Sequence, residues 1–139
     1  DIGLVSMKAE VSGADGLTLI NTMPGLTINV HSQEAELGAG NGGISGPALL
    51  AVGVHAVHRA KKKTTIPLVG VGGIMNEYDA IQYLLAGASL VQVGTATFAN
   101  PRTAQEVALG IEKFCENEGI GSIIDLIGAY GHSEEEEDD

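Results

Sequence analysis

IPLVGVGGI at residues 66–74, followed by AGASLVQVGTA at 86–96, decides how this chain folds. Each is a short apolar run ending in a glycine turn, and each turn leads into a helical segment. Ile66–Val71 reads as a strand broken only by Pro67 and Gly70, and a proline is tolerated near a strand start. Gly72-Gly73 forms the turn, Asn76–Ala86 the helix, and Gly87 ends it. Ser89–Val93 is the next strand, with Gly94-Thr95 as its turn. Apolar strands without polar alternation imply burial on both faces. Strands alternating with helices imply a parallel sheet with right-handed crossovers.

The same pattern extends outward. Residues 2–12 read as a helix stopped by Gly13-Ala14-Asp15-Gly16, and Leu17–Ile20 is a third buried-type strand. A long loop over 21–46 follows, with a short strand at Thr27–Val30. Ser45 reads as an N-cap with Pro47 near the first turn of a helix reaching about Lys62. Leu50, Val54 and Val57 share one face of that helix, and His55, Arg59 and Lys62 the other. Downstream, Asn100 and Pro101 open a long helix with the stripe Ala104, Val107, Ala108, Ile111, Phe114. Ser122–Ile127 reads as a short terminal helix. Three parallel strands neither close a barrel nor make a usual open sheet. The chain therefore reads as part of a larger α/β domain spanning 1–128, with an acidic tail at 129–139.

Composition narrows the function classes. The formal charge is −11, of which the run Glu134–Asp139 supplies six, leaving −5 elsewhere. Such a block is a solvated tail in most proteins. The balance argues against nucleic acid, which needs clustered cations. Lys61-Lys62-Lys63 falls at a helix end, where it complements the dipole. No apolar stretch is long enough to span a membrane, and no secretion signal is evident at the start. With Cys115 as the one cysteine, no internal disulfide can form, and a cytoplasmic setting is expected.

The turns after successive strands carry the chemistry. One glycine pair is ordinary turn chemistry. Two consecutive strand-end turns, GVGGI and QVGTA, point to a phosphate-bearing ligand, because glycines let backbone N–H groups face an anion with no Cβ in the way. Thr95 adds a hydroxyl donor. Asn21 and Thr22 follow the first strand. They serve either as turn residues or as ligand contacts, an amide offering both donor and acceptor. The glycine-rich run 40–47 suits backbone approach to a planar ligand. It is not a P-loop, and no turn makes the dinucleotide signature. His55 and His58 have ligand spacing on a helix but no third partner, and His31 and His132 join no metal motif. Cys115, beside Phe114, reads as a packed thiol, and Met7, Met23 and Met75 as gap fillers.

GADGLTLINT (13–22), NGGISGPA (41–48), IPLVGVGGI and AGASLVQVGTA resemble, in order and spacing, the C-terminal part of class 1 dihydroorotate dehydrogenases, the B type most of all. The resemblance runs from Asp1 to about Gly128. It implies a (β/α)8 TIM barrel that binds FMN and oxidises dihydroorotate to orotate in pyrimidine (UMP) biosynthesis. It places Asn21 and Thr22 on the pyrimidine, Ile20 and Gly46 against the flavin, and Gly72, Gly73, Gly94 and Thr95 at the FMN phosphate. It also implies a partner subunit with FAD and an iron–sulfur cluster that passes electrons to NAD, and hence a homo- or hetero-oligomer.

The family's catalytic base, a cysteine or in membrane-linked relatives a serine, corresponds to nothing in these motifs. Nor do its flavin- and substrate-contacting lysines. No catalytic residue is therefore assigned here, and an N-terminal part of the barrel is expected to supply them. Two other readings stand beside this one. The chain could be a non-catalytic phosphate- or flavin-binding module, or part of a related dihydropyrimidine dehydrogenase.

Overall fold

A computed structural model describes residues 1–131; the acidic run and His132 lie outside the described residues. Helix α1 (Ile2–Val11) is opened by Asp1, whose carboxylate accepts from the N–H groups of Gly3 and Leu4 at 2.8 and 3.2 Å. Its buried face, Gly3 and Ser6, lies on helix α2 (Leu50–Lys61). A Cβ on Gly3 would come within 2.9 Å of the Arg59 carbonyl. The Asp1–Arg59 ion pair at 2.8 Å ties the same two helices at the surface.

Strands β1 (Leu17–Leu19), β6 (Leu68–Val71) and β7 (Leu90–Gln92) form a parallel sheet in the order β1-β6-β7. Leu17 lies opposite Leu68, and Val69 opposite Leu90. The ladder reaches beyond these strand limits, since Leu17 N–H donates to Pro67 O and Ile20 N–H to Val71 O, both at 3.0 Å. The three expected strands are thus present and adjacent. Burial on both faces is not uniform. In β6, Leu68 and Gly70 are buried while Val69 and Val71 are half-buried; in β7, at the sheet edge, Leu90 is 62% exposed.

The core lies between the sheet and its helices: Leu19, Val57, Leu68, Ile74, Ile81, Tyr83, Leu84, Val107 and Ile111 are buried together. Helix α3 (Glu77–Leu85) begins where the sequence says it should. Asn76 accepts from the N–H groups of Tyr78 and Asp79 while Asp79 accepts from Asn76, a reciprocal cap that satisfies otherwise orphaned donors. Helix α2 buries small residues, Gly53, Ala56 and Ala60, together with Val57. Leu50 and Val54 are only half-buried, and His55 and Arg59 face solvent as expected.

Four expectations change. The 21–46 loop is a nested pair of hairpins: β2 (Met23–Gly25) pairs with β5 (Gly42–Ile44), and β3 (Ile28–Asn29) with β4 (Glu34–Ala35), both antiparallel. Glycines 42 and 43 are spent inside that excursion. A Cβ on Gly42 would meet Leu37, and one on Gly43 would meet Thr22, so close strand packing explains them better than ligand approach. Ser45 caps nothing. A one-turn 3₁₀ helix at Pro47–Leu49 precedes α2, its cap residue is Gly46 at φ 93°, and Ser45 is exposed. Finally, a short helix α4 (Ala96–Ala99) follows β7, so the long helix α5 starts at Thr103 and runs to Glu118.

Asn100 holds the α4–α5 corner by accepting from Arg102 N–H, while the Thr103 hydroxyl donates to the Asn100 carbonyl. The buried stripe of α5 is Thr103, Val107 and Ile111, with Ala104 and Ala108 exposed. Gly110 makes room for the Glu77 side chain at the start of α3. Cys115 is half-buried against the core, as a packed thiol should be. The terminal helix is a 3₁₀ turn at Ile123–Leu126 that buries Leu126. Beyond it, Gly128 and Tyr130 N–H donate to the Leu84 and Leu85 carbonyls, satisfying acceptors that a helix end leaves open.

Candidate functional site

Parallel strands point the same way, so their C-terminal ends share one side of the sheet. The segments after β1, β6 and β7, with the turn entering α2, enclose a cleft of about 220 Å³. Ile20, Asn21, Thr22, Gly46, Gly72, Gly73, Gly94 and Thr95 all line it. Every site residue named from the sequence is therefore brought to a single place. Ser45, Leu49 and Met75 also line it and were read otherwise: Ser45 as a cap, Met75 as a core filler, Leu49 not singled out. Met75 is in fact 41% exposed.

The glycines behave differently from one another. Gly72 and Gly73 have φ of 124° and 76°, conformations that side chains rarely adopt. A Cβ on Gly73 would lie 2.5 Å from Leu50 N, so the turn is pressed against the start of α2. Gly94 has nothing within 4 Å of its Cβ position and no positive φ, so no protein neighbour requires a glycine there. Among the described residues, the N–H groups of Gly72, Gly73, Gly94 and Thr95 have no hydrogen-bond acceptor. Two adjacent strand ends thus present backbone donors toward the same cleft.

Asn21 uses its acceptor locally: Oδ1 receives Thr22 N–H at 2.8 Å. That turn role is real, yet it leaves the Nδ2 donors of an exposed side chain for a ligand. Among the described residues no titratable side chain lines the cleft. Beneath it lies a residue the sequence reading passed over. Tyr83, fully buried in α3, donates its hydroxyl to the Gly72 carbonyl at 2.7 Å. Burial pushes its pKa up to about 12, so it remains a neutral donor.

His55 and His58 are far from these strand ends, on a groove between α2 and α3 where His58 meets the Tyr130 ring edge-on at 5.3 Å. His31 is exposed in the excursion.

Strand-end turns of glycine converging on one cleft, over a parallel sheet layered with helices, define an α/β barrel-type ligand site. The comparisons with known proteins identify the family. The sequence model described as dihydroorotate dehydrogenase matches residues 1–115, and the chain belongs to that family. Among similar proteins, a dihydroorotate dehydrogenase B (NAD(+)) catalytic subunit of Desulforamulus reducens is 46% identical over 93% of this chain. A putative dihydroorotate dehydrogenase A (fumarate) of Solibacter usitatus is 46% identical over 86%. The chain spans 42% and 40% of the lengths of these two relatives. The crystal structure of an Eimeria tenella DHODH in complex with ferulenol superposes with a TM-score of 0.75 and 30% identity, covering 94% of this chain and 35% of that one. The three parallel strands and their helices are accordingly part of a (β/α)8 barrel.

Proposed function

We propose that the chain is part of an FMN-dependent dihydroorotate dehydrogenase, supplying the FMN phosphate seat and part of the substrate clamp. The observation that carries this is the convergence of the Gly72-Gly73 and Gly94-Thr95 turns, with unpaired N–H groups, on the cleft that Asn21 and Thr22 also reach. Backbone donors suit an anion because they bring partial positive charge without a side chain to be desolvated. The residues present therefore fit a phosphate-bearing flavin. Ile20 and Gly46 offer a small apolar surface beside it, and the Asn21 amide offers donors to a ring carbonyl or carboxylate.

FMN, when bound, supplies the acceptor for the hydride leaving the substrate ring. This chain's residues bind and orient. Among the described residues no cleft side chain is titratable, and none matches the family's base, so the base is assigned to the remainder of the assembled barrel. Relatives named as NAD(+) catalytic subunits support a partner subunit as the electron outlet; in this proposal that partner carries FAD and an iron–sulfur cluster, and the pathway to pyrimidines runs in the cytoplasm. Among the described residues no helix is long and apolar enough to cross a membrane. A non-catalytic flavin-binding module would share the phosphate seat and differ in turnover.

The test is made on the assembled barrel. Gly94→Val should abolish FMN binding with little change in the melting temperature of the flavin-free protein, because no described atom of this chain lies within 4 Å of a Cβ there. Asn21→Ala should leave FMN in place and weaken orotate about 2–100-fold, the range of one lost hydrogen bond to a polar or charged group. Flavin retained in the first variant, or orotate affinity unchanged in the second, would overturn the assignment. FMN binding without dihydroorotate oxidation would favour the non-catalytic module.

A further inference from the structure

The floor of the Gly72-Gly73 turn is one side chain. Tyr83 stands in a slot cut by glycines from separate elements. A Cβ on Gly53 of α2 would lie 2.8 Å from the Tyr83 Cζ, and one on Gly70 of β6 would lie 2.7 Å from its Cγ. The ring enters between helix and strand because neither has a side chain there. Its hydroxyl then reaches the Gly72 carbonyl at 2.7 Å. Glycine inside a helix and inside a strand costs stability, so two such positions around one ring indicate a placement that packing alone could have met with an aliphatic residue.

The carbonyl that Tyr83 holds belongs to the Gly72–Gly73 peptide, which is trans. In a trans peptide the C=O and N–H point in opposite directions. Holding the oxygen down toward the core therefore holds the Gly73 N–H up, on the cleft side of the turn. With positive φ at both glycines, the peptide could otherwise rotate through other orientations open to glycine. We infer that Tyr83 is a positioning residue for phosphate recognition: through the Gly72 carbonyl it orients the Gly73 N–H toward the phosphate group of a flavin mononucleotide. The inference rests on the flavin reading above and goes further by assigning discrimination between phosphorylated and unphosphorylated flavin to a buried hydroxyl. Burial raises the pKa of that hydroxyl to about 12, so it is a neutral donor near neutral pH.

The experiment compares Tyr83→Phe with the unaltered protein in the assembled barrel, measuring dissociation constants for FMN and for riboflavin. Phenylalanine keeps the ring in the glycine slot and removes the donor alone. FMN should bind about 3–10-fold more weakly, the range for a neutral hydrogen bond, and riboflavin within about twofold of the unaltered protein. Equal losses for both flavins, or none for either, would reduce Tyr83 to a packing residue and overturn the inference. An unaltered protein that binds FMN no better than riboflavin would instead overturn the phosphate-seat reading on which it stands. A second measurement needs no variant. The Tyr83 hydroxyl proton should exchange with water more slowly when FMN is added than when riboflavin is added, as seen by proton NMR. Identical exchange with the two ligands would again overturn it.

Discussion

Two walls of the same cleft are built in opposite ways. The wall at residues 66–96 is two strand ends standing on a buried layer: Leu68, Ile74, Ala80, Ile81, Tyr83 and Leu84 lie beneath it, and α3 is closed by a reciprocal cap. The wall at 21–46 meets the cleft through its two ends, Asn21-Thr22 and Ser45-Gly46, and between them runs an excursion of two short hairpins, with three and two paired positions, in which every residue from Asn21 to Asn41 except Gly25 is exposed. The first is preset by packing that exists whether or not a ligand is present. The second has few buried apolar contacts, and such segments open locally at low free-energy cost. Proposed roles follow the same division. The part that would hold the phosphate stands on the packed layer, and the part that would clamp and release a substrate, Asn21 and Thr22, lies at the foot of the hairpin excursion.

The comparison breaks most sharply at the slot under the rigid wall. Gly53→Val would force a branched side chain into the space of the Tyr83 ring and should cost about 3 kcal/mol of stability in the assembled barrel, the upper part of the usual overpacking range. Denaturant unfolding measures it. A stability within error of the unaltered protein would mean that Tyr83 can leave the slot, and that the wall is not preset by it.

A smaller effect is expected at the start of α3. Asn76→Ala removes the acceptor for two N–H groups and should cost about 1 kcal/mol. Because Ile74 and Met75 precede this cap, the change should also loosen the turn, read as faster amide exchange at residues 72–75. Unaltered exchange there would separate the helix cap from the cleft wall.

The smallest effect belongs to the excursion. Replacing Ile28 and Val30 together by serine should change global stability by less than about 0.5 kcal/mol, since they are 57% and 78% exposed. A loss of several times that size would show that another part of the assembled protein covers the excursion, and that its exposure belongs to this chain alone.

What could be read in advance follows local chemistry. The strand expected at Ile66–Val71, its turn and the helix expected from Asn76 involve neighbours in sequence, and they came out as Leu68–Val71, the Gly72-Gly73 turn and a helix capped by Asn76. The parallel pairing of three strands was also as expected, because helices between apolar strands leave few alternatives. Ser45 failed as a cap because Ser, Gly and Pro in succession support a cap at either of two residues. The choice fell to Gly46, whose φ of 93° no serine adopts easily. In the α5 stripe Val107, Ile111 and Phe114 pack on the core as expected, while Ala104 and Ala108 are exposed and Thr103 is buried instead. The corner at Asn100–Thr103 decides which face α5 turns inward, and Gly110 admits Glu77 on that face. Of the hairpin strands at 21–46 the one expected at Thr27–Val30 is present as Ile28–Asn29, and the other three went unseen because strands of two or three residues are too short to display a period.

By itself the sequence determined the layer architecture, the family and the list of residues that could meet a ligand, because each depends on short motifs whose order survives without coordinates. Only the tertiary structure decided that those residues surround a single cleft and what stands beneath it. Tyr83 in AIQYLL reads as one more apolar position on a helix face. Its meaning comes from Gly53 and Gly70, on other elements, whose missing side chains leave the space in which its hydroxyl reaches the Gly72 carbonyl. Absent side chains have no signature until the backbone is folded around them, because space is a property of several segments at once.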